Sequence, residues 1–396
     1  MPASPTAPDP HINRLVDEGH EVTIYGCYLI VDRIPYVNSA REIAWGALIC
    51  PYRNVDGVPQ LDNDHQCWFT GSMPHRADGT SLVGPLVSDN QLQTVAGREV
   101  RMRFSNKPDP IGGFFDNHYN KVTHYIRKLS RHARDIDPAV SATSMGSYRR
   151  RAVPSVFYYA NDAIAQGGLD AVADKLRLRR VCIVGVGGTG SYLLDALAKE
   201  EIERIDLYDH DVIEPKNPFR MPGAMSREDA YAGHNKAIWL ASRYGAMRTG
   251  VTGHPVWIDA DNVAELAGAD FCFIAVDHGP SRGVIARFLV EQRIPFIDVG
   301  IGVDKRADVA ALIARARVTL VTPNTAHLVD ELPTAEDSED VVYNNIQVLE
   351  INAINAMLAV IRFKQYLGFY AADEHPDVIK YVSSWNSLVL RGPTQE

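Results

Sequence analysis

Gly185, Gly187, Gly188 and Gly190 crowd into the stretch Val181-Cys-Ile-Val-Gly-Val-Gly-Gly-Thr-Gly-Ser191. They follow an apolar run and precede a segment of helical character. Glycines at these spacings let a chain turn tightly between a buried strand and a helix. They also bring its N–H groups, and the partial positive charge of the helix start, against a phosphate. Thr189 lies inside the same turn and is counted with it. The spacing Gly185-x-Gly187-x-x-Gly190 also satisfies the dinucleotide fingerprint, so the turn alone leaves the nucleotide open. Asp209, at the end of the next apolar run, stands where such a fold holds a ribose, of NAD or of ATP alike.

The residues after Asp209 narrow the choice. Asp209-His-Asp-Val-Ile-Glu-Pro-Lys-Asn217-Pro-Phe-Arg220 is a long polar stretch where a dehydrogenase usually enters a helix directly. It brings Asp211, Asn217 and Arg220, and Lys236 follows at the head of the next helical segment. A triphosphate that loses pyrophosphate needs such groups: a forked guanidinium donor and a point-charge ammonium. Asp277 follows the apolar run Phe271–Val276. A carboxylate at that strand end suits Mg²⁺, a hard cation that takes oxygen ligands. Arg282, five residues on, reads as a local brace.

Taken together, Gly185-x-Gly-Gly-x-Gly190, Asp209-x-Asp211, Asn217-x-x-Arg220, Lys236 and Asp277 resemble the ThiF/MoeB/E1-like adenylyltransferases over roughly residues 156–370. The resemblance implies ATP and Mg²⁺ as cofactors. It places Asp209 on the ribose, Asn217, Arg220 and Lys236 on the phosphates, and Asp277 on the magnesium. Catalytic roles fall to Arg220, Lys236 and Asp277. The implied reaction is attack of a C-terminal glycine carboxylate of a ubiquitin-like protein on the α-phosphate, giving an acyl-adenylate and pyrophosphate. Residues 217–224 and 345–356 look like a bacterial E1-like branch whose members carry an uncharacterised N-terminal domain and are associated with ubiquitin-like conjugation, which implies a bacterial modification system with an antiviral setting as one candidate. It also implies a homodimer.

The chain departs from the family pattern in three places. Its five cysteines, Cys27, Cys50, Cys67, Cys182 and Cys272, form no Cys-x-x-Cys pair, so no zinc is expected. No cysteine follows Cys272, which lies in an apolar run. The adenylate is therefore expected to pass directly to an E2-like cysteine, with Cys67 the candidate thiol if a thioester forms on this chain. The helix expected ahead of the glycine turn lacks the arginine that relatives pass across a dimer, and Arg149, Arg150 and Arg151 are candidates to replace it.

The elements that must position these groups follow from periodicity. Residues 181–300 alternate near-continuous apolar strands (181–185, 205–209, 271–276, 296–299) with helical segments (191–199, 235–246, 281–292). This predicts an α/β, Rossmann-like domain with a parallel sheet covered on both faces, and chemistry at the carboxyl ends of its strands. Apolar, strand-forming segments continue over 301–322. A helix is expected from Val156 to about Leu176, and 330–341 reads as an acidic loop. A last helix runs from Ile346 to about Leu367 with Leu349, Ile351, Ile354, Leu358 and Ile361 along its packed side.

Before this domain, residues 1–20 read as a loose Pro-rich tail and 21–150 as a smaller α+β domain that recruits a partner. Strands are expected at Val22–Tyr25, Tyr28–Val31, Trp45–Cys50 and Gln66–Phe69, and a helix around Tyr119–Leu129 capped by Asp116. Residues 138–155 read as a polar connector, and 151–396 as the adenylation domain. His65, His75, His118, His124 and His132 show no ligand spacing and read as surface or hydrogen-bonded groups.

Across 396 residues the chain is 46% apolar and 22% charged with a net charge of −9, which fits a globular protein and argues against nucleic acid as its main partner. No apolar run is long enough for a membrane span and no signal core is seen, so the cytoplasm is the expected location. Three rival readings remain: an NAD-dependent oxidoreductase, adenylation of a small molecule, peptide or tRNA, and a non-catalytic docking module.

Overall fold

A computed structural model describes residues 9–55, 58–60, 65–108, 115–151, 155–159, 169–306, 308–335 and 348–392. The chain divides into two compact units. The first comprises residues 1–154 with 159–173, and the second 155–158 with 174–396.

In the first unit β1 (Glu21–Tyr25), β2 (Tyr28–Val37) and β3 (Ile43–Pro51) form a meander. They are joined by β6 (Gln66–Phe69), β7 (Val87–Asp89), β10 (Met102–Ser105) and β11 (Ser147–Arg151) in the order β11-β1-β2-β3-β6-β10-β7. The hairpins β4 (Arg53–Val55) with β5 (Val58–Gln60), and β8 (Gln93–Val95) with β9 (Arg98–Val100), stand outside this sheet. Helices α1 (Pro10–Asp17) and α2 (His118–Ile136) join the larger core, where Ile12, Leu15, Val122, Tyr125 and Leu129 meet Val22, Leu29, Leu48 and Phe69. A second cluster joins Tyr28, Ile30, Ile49 and Trp68 to Val95 and Val100 of the β8–β9 hairpin.

All four expected strands are present here, with corrections around them. Within the supposed tail, residues 10–17 form a capped helix: the Asp9 carboxylate accepts from the His11 N–H at 2.8 Å, and Ile12 and Leu15, three apart, are buried. The expected connector contains β11, paired in parallel with β1 from Glu21↔Ser147 to Tyr25↔Arg151. The cap of α2 is Asn117, whose side chain accepts from the Asn120 N–H at 2.8 Å; Asp116 lies one residue too early. Most of the expected helix 156–176 lies outside the described residues. Of the rest, 155–159 are not helical, and Asp170–Ala173 and Asp174–Leu176 form single turns.

The second unit holds an eight-stranded sheet in the order β14-β13-β12-β15-β16-β17-β18-β19. Its members are β12 (Arg180–Val184), β13 (Arg204–Tyr208), β14 (Val251–His254), β15 (Phe271–Ile274), β16 (Phe296–Arg306), β17 (Ala311–Val321), β18 (Val378–Val382) and β19 (Ser387–Arg391). The first five are parallel, and β16 to β19 continue antiparallel. The long helices are α3 (Gly188–Leu197), α4 (Lys236–Tyr244), α5 (Gly279–Glu291) and α6 (Leu349–Tyr366). The strands are buried on both faces. Ile183, Leu207, Phe273 and Ile297 pack with α3, α4 and α6, and Cys182, Val184, Cys272, Ile274 and Phe296 pack with α5. This is the α/β architecture read from the alternation of strands and helices.

Helix α6 departs from its expected packing. Its buried side consists of Ile351, Asn352, Asn355, Ala356, Ala359, Val360, Arg362 and Phe363, while Leu349 and Ile361 are exposed. Small residues bring α6 close to α3, where Gly188 leaves no room for a Cβ: one would stand 2.3 Å from the Asn352 side chain. The core of the acidic loop, from 336 onward, lies outside the described residues. Residues 330–331 close a 3₁₀ turn, Ala326–Glu331.

Candidate functional site

The site is built at the carboxyl ends of β12, β13 and β15. Gly185, leaving β12, has φ +87°, and a Cβ there would stand 2.6 Å from the Ala275 carbonyl oxygen. A Cβ on Gly190 would meet the Gly185 carbonyl oxygen at 1.9 Å. These two glycines are demanded by close packing between β12, α3 and the chain leaving β15. Gly187 differs, since a Cβ there would meet nothing within 4 Å. It begins α3 with no side-chain cap, so the first amides of the helix retain donors for a ligand.

Asp209 fastens the turn to β13. Its carboxylate accepts from the Val186 N–H at 2.8 Å and the Asp211 N–H at 2.9 Å. Burial lifts the Asp209 pKa, and Lys236 and the two amides offset only part of that. Asp211 and Lys236 form an ion pair at 2.6 Å. Burial would lift Asp211 as well, but the Lys236 contact outweighs it and leaves the carboxyl below its ordinary range. Asn235 caps α4 through the Ile238 N–H, and its amide donates to the carbonyls of Asp209 and Asp211 at 2.8 and 3.1 Å. Sequence reading passed over Asn235; its place directly before Lys236 at a helix start was the available signal.

Arg220 ends a single 3₁₀ turn, Pro218–Arg220, whose N-cap is Asn217. The Asn217 side chain accepts from the Glu214 N–H at 2.8 Å and is buried, so it shapes this loop. The Arg220 Nε is buried without a hydrogen-bond partner among the described residues. Burial lowers the Arg220 pKa, and the charges of Asp277, Glu214 and Asp211 offset only part of that. Asp277 is exposed just beyond β15. A guanidinium whose buried Nε has no partner among the described residues, within the field of three carboxylates, suits a phosphate-bearing ligand with a divalent cation. The Thr189 hydroxyl points elsewhere, donating to the Asn352 side chain at 2.9 Å, so Thr189 offers the crevice its backbone only.

Arg282 braces the site. Its Nε meets Asp298 at 2.9 Å, and its other nitrogens donate to the carbonyls of Pro333, at 2.8 Å, and Val276. Further out, His210, Trp257 and His278 stack edge to face, with ring centroids 4.7 and 5.3 Å apart. Neither this array nor Asp298 was singled out from sequence.

Cys67 is 1% exposed inside the core of the first unit, which removes it as an accessible thiol; Cys50 is buried too and Cys27 half-buried. Burial pushes the Cys182 thiol up to about 12 and Cys272 well above its ordinary value. The five histidines read from the sequence have partners or are buried, and His132 lies 3.5 Å from Asp135. His65 meets Ser105, His75 the Met73 carbonyl and His124 Asn106, while burial lowers His118 to about 4. Among the described residues no helix is long and apolar enough to cross a membrane.

Residues 159–381 match the ThiF family, and residues 10–162 match a domain of unknown function, DUF6791. The tRNA threonylcarbamoyladenosine dehydratase of Haemophilus influenzae is 26% identical over 130 residues, 32% of this chain and 49% of that protein. Its namesake from Escherichia coli is 28% identical over 124 residues, 30% and 45% respectively. The chain thus spans about half the length of the curated relatives it matches. Among solved structures, E. coli MccB with ATP aligns at 21% identity and TM-score 0.45 over 61% of this chain and 75% of that one. PaaA aligns at 16% identity and TM-score 0.46, over 58% and 80%.

Proposed function

The chain belongs to the ThiF family of ATP-dependent adenylating enzymes, and from that premise we propose that it adenylates the C-terminal carboxylate of a ubiquitin-like protein and releases pyrophosphate. The activated carrier then passes to the cysteine of an E2-like protein. The observation that carries the nucleotide half of this reading is the buried Arg220 Nε, which has no hydrogen-bond partner among the described residues and feels the charges of Asp277, Glu214 and Asp211. The carrier half rests on residues 217–224 and 345–356 and on the separate N-terminal unit, which we assign to recruitment of the carrier or its acceptor.

In this mechanism Gly187 and the first amides of α3 hold phosphate oxygens, and Asp209 takes the ribose hydroxyls. Arg220 and Lys236 hold the phosphates, with Lys236 exchanging its Asp211 contact for the ligand. Asp277 and its neighbours would hold Mg²⁺, which when bound neutralises charge on the departing pyrophosphate. The carboxylate of the carrier attacks the α-phosphorus, the bond to the bridging oxygen breaks, and pyrophosphate leaves with that electron pair. No general base is needed, because a carboxylate is already ionised at neutral pH. We further propose a cytoplasmic homodimer with Arg149 to Arg151 reaching the partner's site, and no thioester on this chain.

ATP–pyrophosphate exchange in magnesium tests the reading, with and without a ubiquitin-like protein encoded beside this one. Exchange that requires the carrier and disappears in Asp277→Ala supports it. Exchange without a carrier, or with tRNA only, would favour a small-molecule or tRNA-borne carboxylate, the reading suggested by the names of the curated relatives.

A further inference from the structure

Asp298 is wholly buried in the third position of β16 and is held by two arginines from different elements. Arg282 of α5 meets one oxygen at 2.9 Å, and Arg317 of β17 meets the other at 2.6 Å. Arg317 reaches it across Gly300. The register pairs Gly300 with Arg317, and a Cβ on Gly300 would stand 3.1 Å from the Arg317 guanidinium. The guanidinium therefore lies close over the Gly300 backbone, where a side chain would press it by a few tenths of an ångström. Arg282 passes the constraint on by holding the carbonyl of Val276, the residue directly before Asp277, and the carbonyl of Pro333.

We propose that Arg317 is a positioning residue for Asp277, acting through Asp298 and Arg282 across the bare backbone of Gly300. This rests on the assignment of Asp277 to Mg²⁺ given above. With Arg317 in place, both Asp298 oxygens are engaged and the fork of Arg282 is fixed, so the chain leaving β15 is presented in one conformation. Without it Asp298 keeps one partner, Arg282 can swing toward the freed oxygen, and its hold on the Val276 carbonyl loosens. Outer groups that orient a metal ligand in this way change metal affinity without touching the metal.

The test is calorimetric titration of ATP into the full chain, once in magnesium and once in EDTA. It compares wild type, Arg317→Ala, Arg317→Lys, Gly300→Ala and, as control, Asp277→Ala, with urea unfolding of each. Wild type should bind ATP more tightly in magnesium, and Asp277→Ala should lose that difference. Arg317→Ala should shrink the magnesium effect by about tenfold and leave affinity in EDTA within about twofold. Arg317→Lys should recover part of the effect, since an ammonium supplies the charge but not the fork. Gly300→Ala should lie between wild type and Arg317→Ala.

A magnesium effect undiminished in a folded Arg317→Ala overturns the inference and leaves the proposed function standing. If that variant does not fold, an undiminished effect in both Arg317→Lys and Gly300→Ala overturns it equally. Wild type that binds ATP with no magnesium effect overturns the assignment of Asp277 itself, and this failure is read before any Arg317 variant is compared.

Discussion

Asp206 and Asp298 are two wholly buried aspartates on the same face of the same sheet, each clasped by two arginines. The parallel register sets Asp206 level with Cys182, Cys272 and Phe296, so Asp298 stands two residues nearer the carboxyl ends, about 6–7 Å along the strands. At the lower level Arg180 joins Asp206 to the carbonyls of Glu265 and Ala267 and to the Tyr208 hydroxyl, and His254 adds a contact at 3.2 Å while stacking on Tyr208. At the upper level the same device holds the carbonyl beside Asp277. Two arginine–aspartate clusters on one sheet face thus tie framework in one place and, on the proposal above, position a site residue in the other. Height along the strand decides which, because loops that carry chemistry leave a parallel sheet at one end only.

The sharpest way to break this comparison is to remove the lower carboxylate. Asp206→Ala leaves Arg180 and its neighbours without their counter-charge and should cost about 3 kcal/mol in urea unfolding, with ATP affinity in magnesium unchanged in the folded protein. Asp298→Asn should cost less stability, about 1–2 kcal/mol, because one acceptor oxygen survives. It should nevertheless reduce the magnesium effect on ATP binding as Arg317→Ala does. Equal loss of magnesium response in both variants would erase the distinction.

Acid should separate Asp206 from Asp209. Burial alone would raise Asp206, but hydrogen bonds from Arg204, Arg180 and His254 outweigh it and leave its pKa below the ordinary carboxylate value. Its stabilising contribution is therefore present above that ordinary value and is lost as pH falls through the folded one. Asp209 has the opposite sign, since burial raises its pKa and its contribution fades as pH rises through that raised value. Unfolding measured between about pH 5 and pH 2 should show a shallower acid loss in Asp206→Asn than in wild type. The smallest effect is expected at the buried thiol. Cys67→Ala should cost about 1 kcal/mol and leave transfer to an E2-like cysteine unchanged; loss of transfer in a folded variant would restore Cys67 as a carrier thiol.

Much of the second unit was legible in the sequence. The run from Val181 to Ser191, the acid at 209 and the aspartate at 277 are local patterns, and strand–helix alternation fixes which end of the sheet they share. Asp209, Lys236, Arg220 and Asp277 were named from their places in the chain and Asp211 through the family resemblance, and the structure joins Asp209 to Asp211 and Asp211 to Lys236 at that end. The first unit was read less well. Asn117 took the cap from Asp116 because cap geometry turns on a single residue. Helix α1 and strand β11 were missed because Pro-rich and arginine-rich composition masks short elements that tertiary partners stabilise.

The sequence by itself determined the glycine turn, the order of strands and helices, and the set of groups suited to a triphosphate and a hard cation. These depend on residues near one another in the chain, where steric limits and hydrophobic period act directly. Only the tertiary structure decided that Thr189 and Asn217 turn inward, that Cys67 is sealed in a core, that α6 buries asparagine and alanine, and that Arg317 lies over Gly300 to reach Asp298. Each of those facts follows from which surfaces meet across an antiparallel register or a helix contact, and residues brought together that way leave no period in the chain to be read.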